Sequence, residues 1–425
     1  MRHFGHLPDE VRANLFHREP GEFTVDSPPG TLAVALGATL YCPATRPRLA
    51  EDILKQAGRG VVSMVLCLED SIDDAEVPGA EENLVRQFAE LAGLAGPAGS
   101  AGSAESVGLA GSAGSVASSG RSGRGPDTPL PLLFIRVRTP EQIPDLVTRL
   151  GAGVRLLSGF VLPKFTEERG AAFLEALMSA ESPQVTEALG GRRLYAMPVL
   201  ESPELMHRET RTETLSGIGR IVDKYRERVL ALRLGVTDLC SAYGLRRAPD
   251  MTAYDVQMIA SVIADVVNML GRADGTGFTI TGPVWEYFKP HERMFKPQLR
   301  ISPFSSGRAE SLRTALIEHH MDGLLREIEL DRANGLQGKT CIHPTHVAPV
   351  HALSVVSHEE FSDAVDILEP QRGGGGVLRS SYTNKMNEVK PHRAWAERTL
   401  RRAEVFGVAR EDVSFVELLA ASLGT

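Results

Sequence analysis

The chain has 425 residues, of which 42% are hydrophobic and 24% charged, a composition that supports a sizeable globular core. Its formal net charge of −8 argues against a general nucleic-acid binder, whose surface needs an excess of Lys and Arg. No window approaches the roughly 18 apolar residues of a membrane span, and "MRHFGHLPDEVRANLFHREPGEF" at the start lacks an apolar signal region, so a cytoplasmic protein is expected. Four cysteines (Cys42, Cys67, Cys240 and Cys341) are widely spaced and form no CxxC pair, which reads as small buried thiols in a reducing compartment.

In chain order, short apolar runs alternate with longer helical patterns. Residues 1–30 read as an N-terminal extension. "TLAVALGATLYCPA" reads as the first strand and "RPRLAEDILKQAG" as its helix. "GVVSMVLCLED" is the second strand, followed by the helical "GAEENLVRQFAELAG". Gly, Ala and Ser then dominate residues 93–126, a segment too poor in apolar surface to offset its ordering entropy and read as a flexible surface insertion. The rhythm resumes with "LPLLFIRVR" and "TPEQIPDLVTRLG", "LSGFVLPK" and "ERGAAFLEALMSA", and the strand "LYAMPVLESPELM". "RVLALRLGVTDL" precedes the helix "TAYDVQMIASVIADVVNMLGR", then come "GFTITGPVW" and "GKTCIHP". Eight strands apolar on both faces, each with a helix, predict a parallel α/β TIM (β/α)8 barrel over residues 31–353. No glycine-rich dinucleotide fingerprint follows the early strands, which weakens a Rossmann reading. Residues 284–335 are expected to form a lid or an oligomer contact, a Gly run at 373–376 a loop, and residues 354–425 a C-terminal helical extension.

The polar residues at the strand ends carry the chemistry, because barrel enzymes act at the C-terminal ends of their strands. They are Glu69 and Asp70 after strand two, Arg136 and Arg138 on strand three, Lys164 on strand four, Glu201 on strand five, Asp238 on strand six and His343 on strand eight. Singly, each has an ordinary structural use as a helix cap or an ion-pair partner. Together they predict a ring of charge around one mouth. Glu201 and Asp238, on adjacent strands, suit the two protein carboxylates of a Mg²⁺ site, with water and substrate supplying the rest. No histidine joins them at zinc-like spacing. Such an ion would stabilise an enolate. Arg136 is a candidate for bidentate capture of a substrate carboxylate, and Glu69 and Asp70 are candidate catalytic acids or bases. Arg138, Lys164 and His343 are candidate substrate-binding groups. Lys164 leaves a Schiff-base route open, and His343 is either a general acid/base or a hydrogen-bonded structural residue. Arg246 and Arg247 in "GLRRAPD" read either as surface ion pairs or, with Arg138, as the pocket of a phosphorylated substrate. "PVWEYF" reads as a pocket wall or packing in the seventh unit, and the basic, aromatic segment after it as a lid or subunit contact.

In this order "ATLYCPATRPRL", "VLCLEDSIDDAE", "FIRVR", "GFVLPKF", "PVLES", "LGVTDL" and "GLQGKTCIHPTHV" resemble the citrate lyase β-subunit and HpcH/HpaI-type aldolase superfamily, over roughly residues 32–353. "GPVWEYF", "FKPQLRISPF" and "NKMNEVKPH" resemble more closely the bacterial carbon–carbon bond lyases encoded near tellurium-resistance genes. The resemblance implies a TIM barrel, generally a homo-oligomer, using Mg²⁺ for aldol or Claisen-type cleavage. By position it makes Glu201 and Asp238 the metal ligands, Arg136 the substrate-binding arginine, and Glu69 and Asp70 the acidic motif. The chain departs from the citrate-lyase pattern at Gly37, where that pattern has Arg, at Cys67, where it has Asp, and at Arg138, where it has Asn. The expected substrate is therefore a small anion: a 2-oxo acid, an acyl thioester or a phosphorylated compound. A barrel without catalytic activity, binding a ligand or an assembly partner in a stress-response operon, is the alternative those departures keep open.

Overall fold

A computed structural model describes residues 1–95, 129–288, 321–369 and 377–424. Eight parallel strands make up the central sheet: β1 (Ala38–Pro43), β2 (Ser63–Cys67), β3 (Leu132–Arg136), β4 (Leu157–Leu162), β5 (Tyr195–Leu200), β6 (Leu232–Leu234), β7 (Ile280–Thr281) and β8 (Lys339–Cys341). Each pairs with its neighbour in sequence, and β8 returns to β1 through the register Ala38↔Lys339. Between β7 and β8 the barrel closes through a single bridge. There Gly282 N–H donates to Gly338 O at 3.1 Å, and Gly282 O accepts from Thr340 N–H at 3.2 Å. The α/β barrel expected from the alternating pattern is thus present.

Strand pleating divides the core into two clusters, since successive side chains face opposite ways. Met64 and Leu66, Leu133 and Ile135, and Phe160 and Leu162 face outward onto the surrounding helices. Val65, Phe134, Val161, Met197 and Val199 face into the barrel. By the same alternation Arg136 and Arg233 share the inward parity, which is how charge reaches the barrel axis.

Several boundaries differ from the sequence reading. The run "TLAVALGATLYCPA" is not one strand: Pro29–Ala35 is a helix and only Ala38–Pro43 is β. Both halves are apolar, so hydrophobicity cannot separate them, and the break falls at Gly37, which takes a left-handed φ of 49°. Leu32 and Leu36 pack with Val65 and Phe134, so the helix caps the barrel at the N-terminal ends of its strands. The segment expected as a lid, 284–335, includes a barrel helix, Met321–Ala333, whose Leu324, Leu325 and Ile328 are buried. Residues 289–320 of that expected lid, most of the Gly/Ala/Ser insertion and the 373–376 Gly run lie outside the described residues. The C-terminal extension is not purely helical. Besides three helices, His358–Leu368, Val389–Phe406 and Phe415–Leu423, it holds a hairpin of Val377–Arg379 with Met386–Glu388. It also supplies Val408–Ala409 as an antiparallel partner for Phe16–Arg18. The two ends of the chain therefore build one structure beneath the barrel, with His3 stacked on Phe406 at 4.1 Å.

Candidate active site at the barrel mouth

Arg136 ends β3 with its guanidinium buried among carboxylates. Its Nη2 lies 2.8 Å from Glu69 Oε2, 3.0 Å from Glu201 Oε1 and 3.1 Å from Asp70 Oδ2. Burial works against its charge, yet Glu201 and Glu69 hold its pKa above the usual arginine value. Among the described residues Arg136 Nε is buried without a hydrogen-bond partner, as is Ser202 Oγ beside Glu201. Two unspent polar atoms at one mouth are available to a ligand.

Glu201, only 3% exposed, follows directly on β5. One of its oxygens, Oε1, accepts from Arg136 and from Lys164 N–H at 2.9 Å. Its other oxygen lies over Gly235, where a Cβ would come within 2.2 Å of Oε2. A glycine is required there for the carboxylate to fit. Burial pushes Glu201 up to about 7 in spite of Arg136, and Asp238 adds to the shift. Asp238 does not sit at the end of β6. It lies in the first turn of the short helix Val236–Ser241, half-buried, and it too is raised by burial and by Asp70. The two carboxyl groups are hydrogen-bonded partners.

Lys164 has a left-handed φ of 49°, unusual for a residue with a side chain. That turn aims its N–H at Glu201 while its Nζ reaches Glu69 Oε1 at 2.6 Å and Asp70 Oδ1 at 3.4 Å. Burial alone would lower its pKa, but Glu69, Asp70 and Asp238 raise it, so the amine is held as an ammonium. A Schiff base needs the free amine, and this site works against it. Glu69 and Asp70 split their ionisation. Burial and the hydrogen bond with Asp70 raise Glu69, whereas that bond with Arg136 and Lys164 holds Asp70 below the usual range against burial. Of the two, Glu69 is therefore the more readily protonated.

Glu69, Asp70, Arg136, Lys164, Glu201 and Asp238 thus meet at one mouth. Arg138 and His343 do not join them. Arg138 donates Nε to Leu68 O at 2.6 Å and Nη2 to Ile72 O at 2.8 Å, and its Nη1 pairs with Asp74. Its guanidinium is consumed in clamping the acidic loop, so it positions Glu69 and Asp70 and is not free for substrate. His343 Nδ1 caps the turn at Pro344 by accepting from Thr345, and its ring stacks on Phe288 at 4.6 Å. Burial lowers its pKa, and none of its hydrogen bonds reaches the carboxylates. Arg247 is 3% exposed and pairs with Glu327 at 2.7 Å, so it is a buried structural ion pair, while Arg246 is exposed. Trp285 and Tyr287 pack around Arg247, so "PVWEYF" is packing for the seventh unit. All four thiols are free and buried, with Cys42 and Cys341 pushed up to about 12 by burial.

A family model described as the C–C bond lyase of the TIM-barrel fold matches residues 30–408. The chain belongs to that family. Among curated proteins none matches. Solved structures similar to this C–C bond lyase family member include a citrate lyase from Burkholderia xenovorans. It is 15% identical, covers 90% of this chain and 96% of its own, and has a TM-score of 0.53. Another is CitE from Mycobacterium tuberculosis in complex with magnesium, acetoacetate and coenzyme A. It is 19% identical, with 87% of this chain and 99% of that chain covered, at a TM-score of 0.49. At 15% identity the likeness to the Burkholderia structure shows the fold alone.

Two inward-facing residues of this lyase family member escaped sequence reasoning. Arg233 on β6 is 1% exposed, donates to Thr340 Oγ1 at 2.7 Å and lies 5.4 Å from the Tyr41 ring centroid. Tyr41 in turn feels Arg233, Arg136 and Glu201, and burial raises its phenol pKa. Strand parity was the available signal, since Tyr41 and Arg233 alternate with outward-facing apolar neighbours.

Proposed function

We propose that this chain is a Mg²⁺-dependent lyase or aldolase that breaks or forms a C–C bond next to an enolisable carbon of a small anionic 2-oxo acid or acyl thioester. The observation that carries this reading is the convergence of Glu201 and Asp238 beside Arg136. The two carboxyl groups, both raised by burial, form an all-oxygen donor pair suited to a divalent cation. The donor set fits Mg²⁺, which takes one or two protein carboxylates and fills its other positions with water and substrate. Glu201 and Asp238 would hold the ion, and bound Mg²⁺ would neutralise charge developing on an enolate oxygen.

The chain's own groups supply the remaining steps. Arg136 Nε, buried and unspent, orients the substrate carboxylate. Asp70, held ionised, takes the hydroxyl proton of an aldol-type substrate. The electron pair of the breaking C–C bond moves to the carbon beside the 2-oxo or thioester carbonyl, giving the enolate. Glu69, the more readily protonated of the acidic pair, returns a proton to that carbon, and the Lys164 ammonium holds the pair in place.

A panel of 4-hydroxy-2-oxo acids and 3-hydroxyacyl thioesters, assayed with Mg²⁺, tests this reading. Turnover is expected, with kcat/KM reduced by about 10²–10³ in Arg136→Lys, because an ammonium cannot keep the planar set of donors. Turnover that survives both Arg136→Lys and chelation of the metal would sink the proposal.

A further inference from the structure

A second cavity, of about 390 Å³, opens at the end of the barrel opposite the catalytic carboxylates. Gln337 and Gly338, which lead into β8, and Val34 of the capping helix line it from the barrel side. The helix Val389–Phe406 closes it from outside with Trp395, Arg398 and Arg402. Its volume lies in the range of small-molecule sites.

Three guanidiniums, Arg332, Arg398 and Arg402, face this cavity. Each is fixed by one partner and keeps donors in hand. Arg332 Nη1 donates to Leu353 O at 3.3 Å, and Arg398 Nη2 to Gly271 O at 3.0 Å. Arg402 Nη2 pairs with Glu360 Oε2 at 2.9 Å, while among the described residues its Nε is buried with no partner. Among the described residues Glu360 is the carboxylate paired with this group, and it is also tied to Ser357 in a capping box. Asp331, which also lines the cavity, is already matched by Lys339 at 2.7 Å and Tyr254 at 2.9 Å. Glu329 is exposed at the rim, where solvent screens it. Arg332 is as exposed as Glu329 and is screened with it, so Arg398 and Arg402 against Glu360 leave one positive charge in a pocket with an apolar floor of Val34, Val350, Leu353 and Phe406. Trp395 is 39% exposed at the opening and offers a flat apolar face.

We propose that this cavity is a second ligand site, separate from the catalytic mouth, that binds a phosphate monoester carrying a flat, apolar body. A phosphate brings negative charge and three acceptor oxygens, which suit the unbalanced positive charge and the unspent arginine donors. The flat body then lies against Trp395 and the apolar floor. Nothing in the lyase reading requires this site, and its test uses no turnover.

The chain has two tryptophans. Trp285 is buried against Arg247, so emission that responds at this cavity comes from Trp395. Full-length protein is titrated with phenyl phosphate, with phenol and inorganic phosphate as comparison ligands, following tryptophan emission and calorimetric heat together. Phenyl phosphate is expected to give a saturable emission change that Trp395→Phe removes. Arg398→Gln and Arg332→Gln are each expected to weaken binding by about tenfold or more with the melting temperature maintained. Should an arginine variant melt early, Glu360→Gln decides, because Gln preserves the capping box and removes the competing charge. Tighter binding in that variant supports the site, and unchanged binding overturns it. The proposal is also overturned if the wild type shows no saturable response. Equal affinity for phenol and phenyl phosphate, or unaltered affinity in folded arginine variants, overturns it as well.

Discussion

At the barrel mouth one nitrogen of Arg136 serves three carboxylates, and the consequences for each neighbour can be tested separately. Lys164, held as an ammonium by Glu69 and Asp70, is expected to resist Schiff-base formation. Borohydride treatment with a 2-oxo acid should leave Lys164 unlabelled in intact-mass and peptide analysis, and labelling at Lys164 would reinstate the covalent route. Gly235 matters through what it lacks. A Cβ in Gly235→Ala would lie 2.2 Å from Glu201 Oε2, so the carboxylate must move by an ångström or more. Displacement on that scale is expected to lower activity by about 10²-fold, while thermal melting checks that the fold persists. Most of this mouth was legible in the sequence, because a charged residue ending an apolar strand has few other places to go. Arg138 was misread for a physical reason. Sequence shows a charge near the mouth but not which backbone carbonyls compete for it, and Leu68 O, Glu69 O and Ile72 O claim its donors.

At the scale of elements, β4 and β5 approach each other through Gly159. A side chain there would place Cβ 1.9 Å from Tyr195 O, inside the backbone of the paired strand. Gly159→Ala is therefore expected to lose about 2–4 kcal/mol of unfolding free energy, measured by denaturant titration. A change below about 0.5 kcal/mol would show that the two strands are not locked in this register. The eight-unit pattern was readable because parallel strands buried on both faces leave near-continuous apolar runs. The capping helix Pro29–Ala35 was not, since an apolar segment of its length suits a buried helix as well as a strand. Its identity depends on Gly37, wedged between His3 and His351, where a Cβ would lie 3.1 Å from each ring.

For the whole molecule, those histidines tie stability to pH. Burial lowers His3 to about 3 and His351 well below the ordinary 6.5, and it lowers His6 as well. Below pH 6.5 the unfolded chain binds protons that the folded chain refuses, so stability is fully present above that pH and falls as acid is added. Each buried imidazole contributes a slope of about 1.4 kcal/mol per pH unit between its two pKa values. The urea midpoint is expected to be level from pH 7 upward on this account and to fall below 6.5, less steeply in His3→Gln. An identical slope in that variant would show that His3 is not the group being titrated. The end of the barrel that carries these imidazoles, built from both chain termini, stands apart from the chemistry, which the opposite mouth holds among Glu69, Asp70, Arg136, Lys164, Glu201 and Asp238. The most direct test of that mouth is calorimetric titration of Mg²⁺ into the wild type and into Glu201→Gln with Asp238→Asn. One saturable site is expected in the wild type and none in the double variant, with both proteins folded. Equal Mg²⁺ affinity in the two would contradict the metal site and, with it, the lyase reading built on it.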